Sequence, residues 1–139
     1  MEAEALRALV VAARVGRLAS VDRDGAPHVV PVCFVLLDDV VYSAVDHKPK
    51  RTSRLRRSAN IRATGRACLL IDEYDDDDWS RLWWIRVDGP ARLVQDPAEA
   101  HRAQSALIAK YPQYATTPPS GPVIALEAQR WTGWSAARS

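Results

Sequence analysis

The sequence predicts a mainly β (α+β) protein, a six-stranded antiparallel β-barrel, closed or split, with peripheral helices. Three observations lead there. Apolar, β-branched runs recur between short turn signals. Helical spacing is confined to a few brief stretches. The order helix, three strands, short helix, two strands, helix, strand supplies six β-segments. With 139 residues the chain has room for one domain over 1–139 and one core. Charged residues at 26% and hydrophobic residues at 47% exclude a disordered chain.

Taken in order, Glu2 to Val15 carries Leu6, Leu9, Val10 and Ala13 at helical spacing, and Gly16 stands where a helix end favours a residue tolerant of positive φ. The run GRLASVDRDGAPHVVPVCFVLLDDVVYSAV then reads as a three-stranded meander, punctuated by Asp24-Gly25 and Asp38-Asp39. In its second strand His28, Val30, Val32, Phe34 and Leu36 face one way, and Val29, Pro31, Cys33, Val35 and Leu37 the other. Both faces are apolar, so the second needs a cover from a helix or another subunit. A homodimer is the economical expectation.

A loop containing Pro49 leads into a short helix from Lys50 to Ala59. Arg66 to Tyr74 is a strand, and Arg81 to Gln95 a long one bent at Gly89-Pro90. Asp96-Pro97 opens a helix running to Lys110, with Asp96 as N-cap and proline in the first turn. Pro112 to Pro122 reads as a loop, and Pro122 to Trp131 as the final strand, ending in Trp131-Thr-Gly-Trp134.

No apolar run approaches the roughly 20 residues of a membrane helix, and the start MEAEALRALV lacks a signal peptide's basic region and cleavage site. The expectation is a cytoplasmic protein without a membrane partner. Cys33 and Cys68 lie inside strand-like runs, away from any Cys/His constellation, and read as buried free thiols.

The net charge is only +2, but basic residues cluster from Lys48 to Arg66. HKPKRTSRLRR follows a strand directly, with Thr52 and Ser53 at the helix start. Free backbone N–H groups, hydroxyls and cations converging there make an anion site suited to phosphate. A solvated basic helix face explains the same composition. Nucleic acid is disfavoured, because aromatics are not interleaved with the charges.

Five tryptophans form a second cluster: Trp79, Trp83, Trp84, Trp131 and Trp134. Packing accounts for most of them, but Trp83 and Trp84, adjacent in a strand, must point to opposite faces, so one can line a groove. His28, His47 and His101 are dispersed without a metal-binding spacing, and Asp75–Asp78 reads as a solvated turn. No nucleophile elbow or Ser/His/Asp set stands out, so no catalytic side chain is assigned. In an enzyme of this kind the chemistry belongs to a cofactor.

The motifs GRLASVDRDGAPHVVPVCFVL, VVYSAVDHKPKRTSRLRRSANIR and RACLLIDEYDDDDWSRLWWIRVDGPARLV, in that order, resemble the pyridoxamine 5′-phosphate oxidase-like superfamily. Within it the chain is most similar to the actinobacterial branch of probable F420-dependent enzymes, and the terminal WTGWS supports that subgroup. The resemblance implies an FMN-binding split barrel type of fold and a homodimer, with a flavin or the deazaflavin coenzyme F420 at the subunit interface. The family's phosphate-binding residues carry over to Lys48, Lys50 and Arg51, helped by Thr52 and Ser53, with Arg54, Arg56 and Arg57 in support. Its ring-contacting second strand carries over to Pro31, Val32 and Cys33. Ser43 and Ala44 would end the neighbouring strand beside the ring, and Trp131 or Trp134 would close one side of the groove.

Arg51 stands where the commoner pattern has lysine, and a pyridoxal-phosphate substrate signature is lacking, which argues against a vitamin-B6 oxidase. F420 carries a lactyl and oligoglutamate tail whose carboxylates suit the arginine surplus from Arg51 to Arg66. The resulting expectation is hydride transfer from reduced F420 to an unsaturated or conjugated small organic substrate. An FMN-dependent oxidase or reductase, or a flavin-binding or haem-handling protein without enzymatic activity, are the alternatives.

Overall fold

The computed structural model describes residues 2–45 and 51–137, with residues 51–55 by their backbone alone. Among them run the strands β1 (Gly16–Val21), β2 (Pro27–Val32), β3 (Val35–Leu37), β4 (Val40–Ala44), β5 (Arg66–Glu73), β6 (Trp83–Leu93), β7 (Val123–Glu127) and β8 (Arg130–Ser135). The helices are α1 (Ala3–Ala12), α2 (Arg51–Thr64), α3 (Pro97–Lys110) and α4 (Pro112–Thr116). Eight strands replace the six expected because two of the expected strands break. The second strand of the meander divides at Cys33-Phe34 into β2 and β3, and the C-terminal strand divides at Ala128-Gln129 into β7 and β8.

All pairings are antiparallel, in the order β2-β1-β5-β6-β7-β4-β3, with β8 also on β6. The edge strands β2 and β3 are consecutive in the chain, joined only by Cys33 and Phe34. A link that short requires the sheet to curl until its two edges meet. The edges are not paired with each other, which makes this a curled, split barrel.

Strand β6 ties the halves together. Trp83 to Asp88 pair with β5 on one side and β8 on the other, whereas Ala91 to Leu93 pair with β7. The change of partner falls at Gly89-Pro90, where the sequence expects a bend. Glycine is required there, since a Cβ on Gly89 would collide with the Glu127 carbonyl.

One core fills the curl, with Val10 of α1, Phe34, Ile61 of α2, Leu69, Ile85 and Leu126 among its members. A second lies between the outer side of β4 and β7 and helix α3, built on Tyr42, Ala44, Ala103, Leu107 and Tyr111. Cys33, Val35 and Leu37 pack against this second cluster. A helix therefore covers that part of the second apolar face, while Val29 and Pro31 stay exposed.

The helix ends show what local chemistry decides. Asp96 caps α3 through the Ala98 N–H as expected, and α2 runs beyond Ala59 to stop at Gly65, whose φ of 69° closes the helix. Helix α1 ends at Ala12 instead of Val15. Gly16 is not its terminator but the first residue of β1, where a Cβ would meet Leu69 at 2.8 Å. Part of the expected loop after Pro112 is helix α4, with proline in its first turn.

Candidate cofactor site at the barrel seam

Strand register brings the expected site segments to the seam. Val35, the first residue of β3, pairs with Tyr42, and Cys33 of the preceding link packs against the cluster that contains Ala44 at the end of β4. Val32, Ser43 and Ala44 are buried, Cys33 is half-buried, and Pro31 is exposed on the outer face. The end of β4 also leads the chain from Ala44 toward α2. Lys48 and Lys50 lie outside the described residues. Helix α2 begins at Arg51, so Arg51, Thr52, Ser53 and Arg54 form its first turn, where the N–H groups have no partner within the helix.

Further along α2, Arg56 is exposed and Arg57 half-buried. Both act on His28 of β2, whose pKa is lowered first by burial and then by these two charges. The His28 Nδ1 is buried without a hydrogen-bond partner. Below it Asn60 donates from Nδ2 to Ser20 Oγ at 3.1 Å, both buried, which anchors α2 on β1. The basic helix is therefore fixed to the sheet along one side, and its Arg56 and Arg57 add to burial in disfavouring a charged histidine.

Three residues at the seam carry no sequence signal for a site. Tyr111 Oη accepts from the Phe34 N–H at 3.0 Å and lies 2.9 Å from the Arg14 carbonyl and 3.1 Å from the Phe34 carbonyl. Lys110 Nζ donates to the Phe34 carbonyl at 2.9 Å and sits 4.2 Å above the Phe34 ring. Arg14 donates to the Lys110 carbonyl at 2.7 Å and covers the Tyr111 ring. Burial, then the Arg14 charge, bring the Lys110 ammonium down to about 8, against an opposing pull from Cys33.

The outer face of the sheet holds the aromatic groove. Asp72, Trp84 and Trp134 are cross-strand neighbours there, with Leu70 and Arg86 one step along. Together with Tyr74 they line an open cavity of about 450 Å³. Trp134 is 47% exposed. Trp131, three residues earlier, points to the opposite face and packs on the core, beside Leu6 and Arg7. Trp83 and Trp84 take opposite faces as the strand period demands.

Pro31 shares the outer face with Trp134, but β1, β5 and β6 intervene between β2 and β8. Four strand spacings amount to about 19 Å. One chain thus does not bring the β2 segment and Trp134 together.

Neither Cys33 nor Cys68 forms a disulfide among the described residues, and both are half-buried where full burial is expected. Cys68 lies on the outer face between Ala19 and Asp88, and burial, then Asp88, push it up to about 12. Asp75 to Asp78 form a turn in which Asp75 Oδ1 accepts the Asp77 and Asp78 N–H groups. Among the described residues no cluster of metal-ligating side chains occurs, and no helix is long and apolar enough to cross a membrane.

Known proteins supply an independent comparison. No curated protein matches the chain. Among solved structures, a FAD-binding protein from Mesorhizobium loti superposes with a TM-score of 0.71 at 21% identity, over 96% of this chain and 94% of that one. The FAD binding protein from Mycobacterium smegmatis gives 0.68 at 19%, over 96% of each chain. The haem storage protein HutZ from Vibrio cholerae gives 0.73 at 13%, over 96% and 93%. These likenesses establish a shared fold. The family model described as pyridoxamine 5′-phosphate oxidase matches residues 3–135, nearly the whole chain, and the protein belongs to that family.

Proposed function

We propose that the protein is an F420-dependent oxidoreductase that acts as a homodimer, reducing an unsaturated or conjugated organic substrate. The observation that carries this reading is the convergence at the seam, where the β2–β3 link lies beside the end of β4, the strand that feeds the basic start of α2. Family membership supports a redox cofactor of the flavin kind.

The donor set fits an anionic group at one end and a flat ring at the other. Lys48, Lys50 and Arg51 with the first-turn N–H groups of α2 would hold the phosphate. Arg54, Arg56 and Arg57 would serve the tail carboxylates, and the Arg56 and Arg57 charges add to burial in lowering the His28 pKa. Pro31, Val32 and Cys33 would flank the ring, with Ser43 and Ala44 as a rigid, buried backing. When bound, the deazaflavin supplies a hydride. The chain's own work is to bind, orient and keep water out.

A second copy completes the site. The exposed outer face carries Val21, Val29, Leu70 and Trp134, more apolar surface than scattered single residues. A two-fold pairing of these faces can bring the partner's Trp134 toward Pro31, across the distance one chain leaves open.

The FAD-binding names of two structural relatives favour a flavin as the second reading. Absorbance and fluorescence titrations with F420, FMN, FAD and haem, run separately, distinguish the readings. Tight F420 binding with weak response to the others is expected. Preferential binding of FMN or FAD, or a haem Soret band, would overturn the F420 assignment.

A further inference from the structure

We infer that Lys110 and Tyr111 are positioning residues for the Pro31–Cys33 segment, which they hold in place by gripping the backbone of Phe34 at the barrel seam. The inference rests on that segment facing the cofactor ring, as proposed above.

The need for a grip follows from the topology. Strands β2 and β3 do not pair with each other, and Cys33 and Phe34 belong to neither. Phe34 is nevertheless fully buried, so its N–H and C=O need partners that no strand ladder supplies. The end of α3 supplies both. Tyr111 Oη takes the Phe34 N–H, and Lys110 Nζ serves the Phe34 carbonyl.

The two side chains are not redundant. A tyrosine hydroxyl has a single proton, yet Tyr111 Oη lies within bonding distance of two carbonyls, those of Arg14 and Phe34. Because Lys110 donates to Phe34, the Tyr111 proton can go to Arg14, and all three backbone groups are satisfied together. Loss of the lysine donor forces two carbonyls to compete for one proton. Loss of the hydroxyl strands the Phe34 N–H and the Arg14 carbonyl.

The grip is in turn braced. Arg14, in the link between α1 and β1, donates to the Lys110 carbonyl and stacks on Tyr111. Arg14 and Cys33 are the charged or titratable groups that act on the Lys110 ammonium, with the Tyr111 ring beside it. The link is too short to move apart from Val32, so the place of α3's last turn sets the place of the Pro31–Cys33 segment. The helix that covers the second core thereby fixes one wall of the proposed ring pocket.

The test uses the full chain with Lys110→Met, Tyr111→Phe and Lys110→Arg. Amide hydrogen exchange at Phe34 is read without cofactor, and affinity for F420 and FMN, the visible spectrum of the bound cofactor and the melting temperature are read beside it. Lys110→Met and Tyr111→Phe should each speed Phe34 exchange by about tenfold or more and weaken cofactor binding by about tenfold, with a shifted spectrum. Lys110→Arg, which keeps a donor, should restore affinity and spectrum. Should one variant fail to fold, the other carries the test.

Unchanged Phe34 exchange in both variants overturns the grip. Faster exchange with unchanged affinity and spectrum overturns its positioning role. Wild type that binds none of the cofactors overturns the proposed function and the positioning role with it, while Phe34 exchange still decides the grip.

Discussion

Replacement of Glu99 by glutamine should destabilise the protein by about 2 kcal/mol at neutral pH, and the deficit should disappear in acid. Glu99 in the first turn of α3 receives both Arg92 NH groups, at 2.9 and 2.8 Å, and the Tyr42 hydroxyl at 2.6 Å. These bonds, Arg92 first and Tyr42 second, hold its carboxyl down to about 2 from an ordinary 4.5. At about 1.4 kcal/mol per pH unit, such a shift corresponds to about 3 kcal/mol. The Glu99 side chain is 16% exposed but Arg92 is 43% exposed, so solvent screening reduces this to about 2. The sign is fixed by the lowered pKa. Stabilisation is full above 4.5 and is lost as pH falls toward 2. Thermal melts of wild type and Glu99→Gln at pH 7 should differ by roughly 5–10 °C, and urea titrations should show the gap narrowing below pH 4.5. Equal melting at pH 7, or a gap that persists undiminished at the lowest pH where both fold, would refute the reasoning.

Lys50→Ala and Arg51→Ala should each weaken cofactor binding by about ten- to a hundredfold with little change in melting, and removing the cofactor's phosphate should shrink the defect; wild-type affinity in both variants would reduce the basic run to a solvated helix face. Trp131→Ala should lower stability because Trp131 packs on the core, whereas Trp134→Ala should leave melting of the fold nearly unchanged and perturb the bound cofactor's spectrum; the reverse pattern would invert the assignment of the two faces. With its thiol pushed up to about 12, Cys68 should react with iodoacetamide at pH 8 at least about tenfold more slowly than an ordinary thiol, the loss of thiolate outweighing its greater nucleophilicity, and mass spectrometry showing its prompt labelling in folded protein would contradict this. Sedimentation at micromolar concentration should give a dimer, against which a 15.4 kDa particle would count decisively.

Elements written in local chemistry were legible in the sequence. The Asp24-Gly25 turn and the Asp96-Pro97 helix start stand where turn and cap residues place them, and Gly89-Pro90 marks where β6 changes partner from β8 to β7. What escaped was decided by partners distant in sequence. The run His28 to Leu37 has an unbroken strand pattern, and nothing local marks Cys33-Phe34 as the seam, because the break comes from the closure of the curled sheet. Lys110 and Tyr111 look like an ordinary helix end, and their role depends on Phe34, some 76 and 77 residues away. Gly16 sits correctly for a helix terminator, yet its constraint is the Leu69 side chain on β5. The basic segment was legible as chemistry, but Lys48 and Lys50 lie outside the described residues.

The double membership of β6 also bears on how the molecule opens and forms. Local fraying of β8 leaves β6 bonded to β5, and release of β7 leaves its first half untouched. Its central amides can meet solvent only when most of the surrounding ladder is gone, so their exchange tracks complete unfolding while the peripheral strands breathe independently. The same arithmetic runs backward in folding. Until β6 is in place the two halves of the sheet share no ladder, so its docking is the step at which two local assemblies become one cooperative structure.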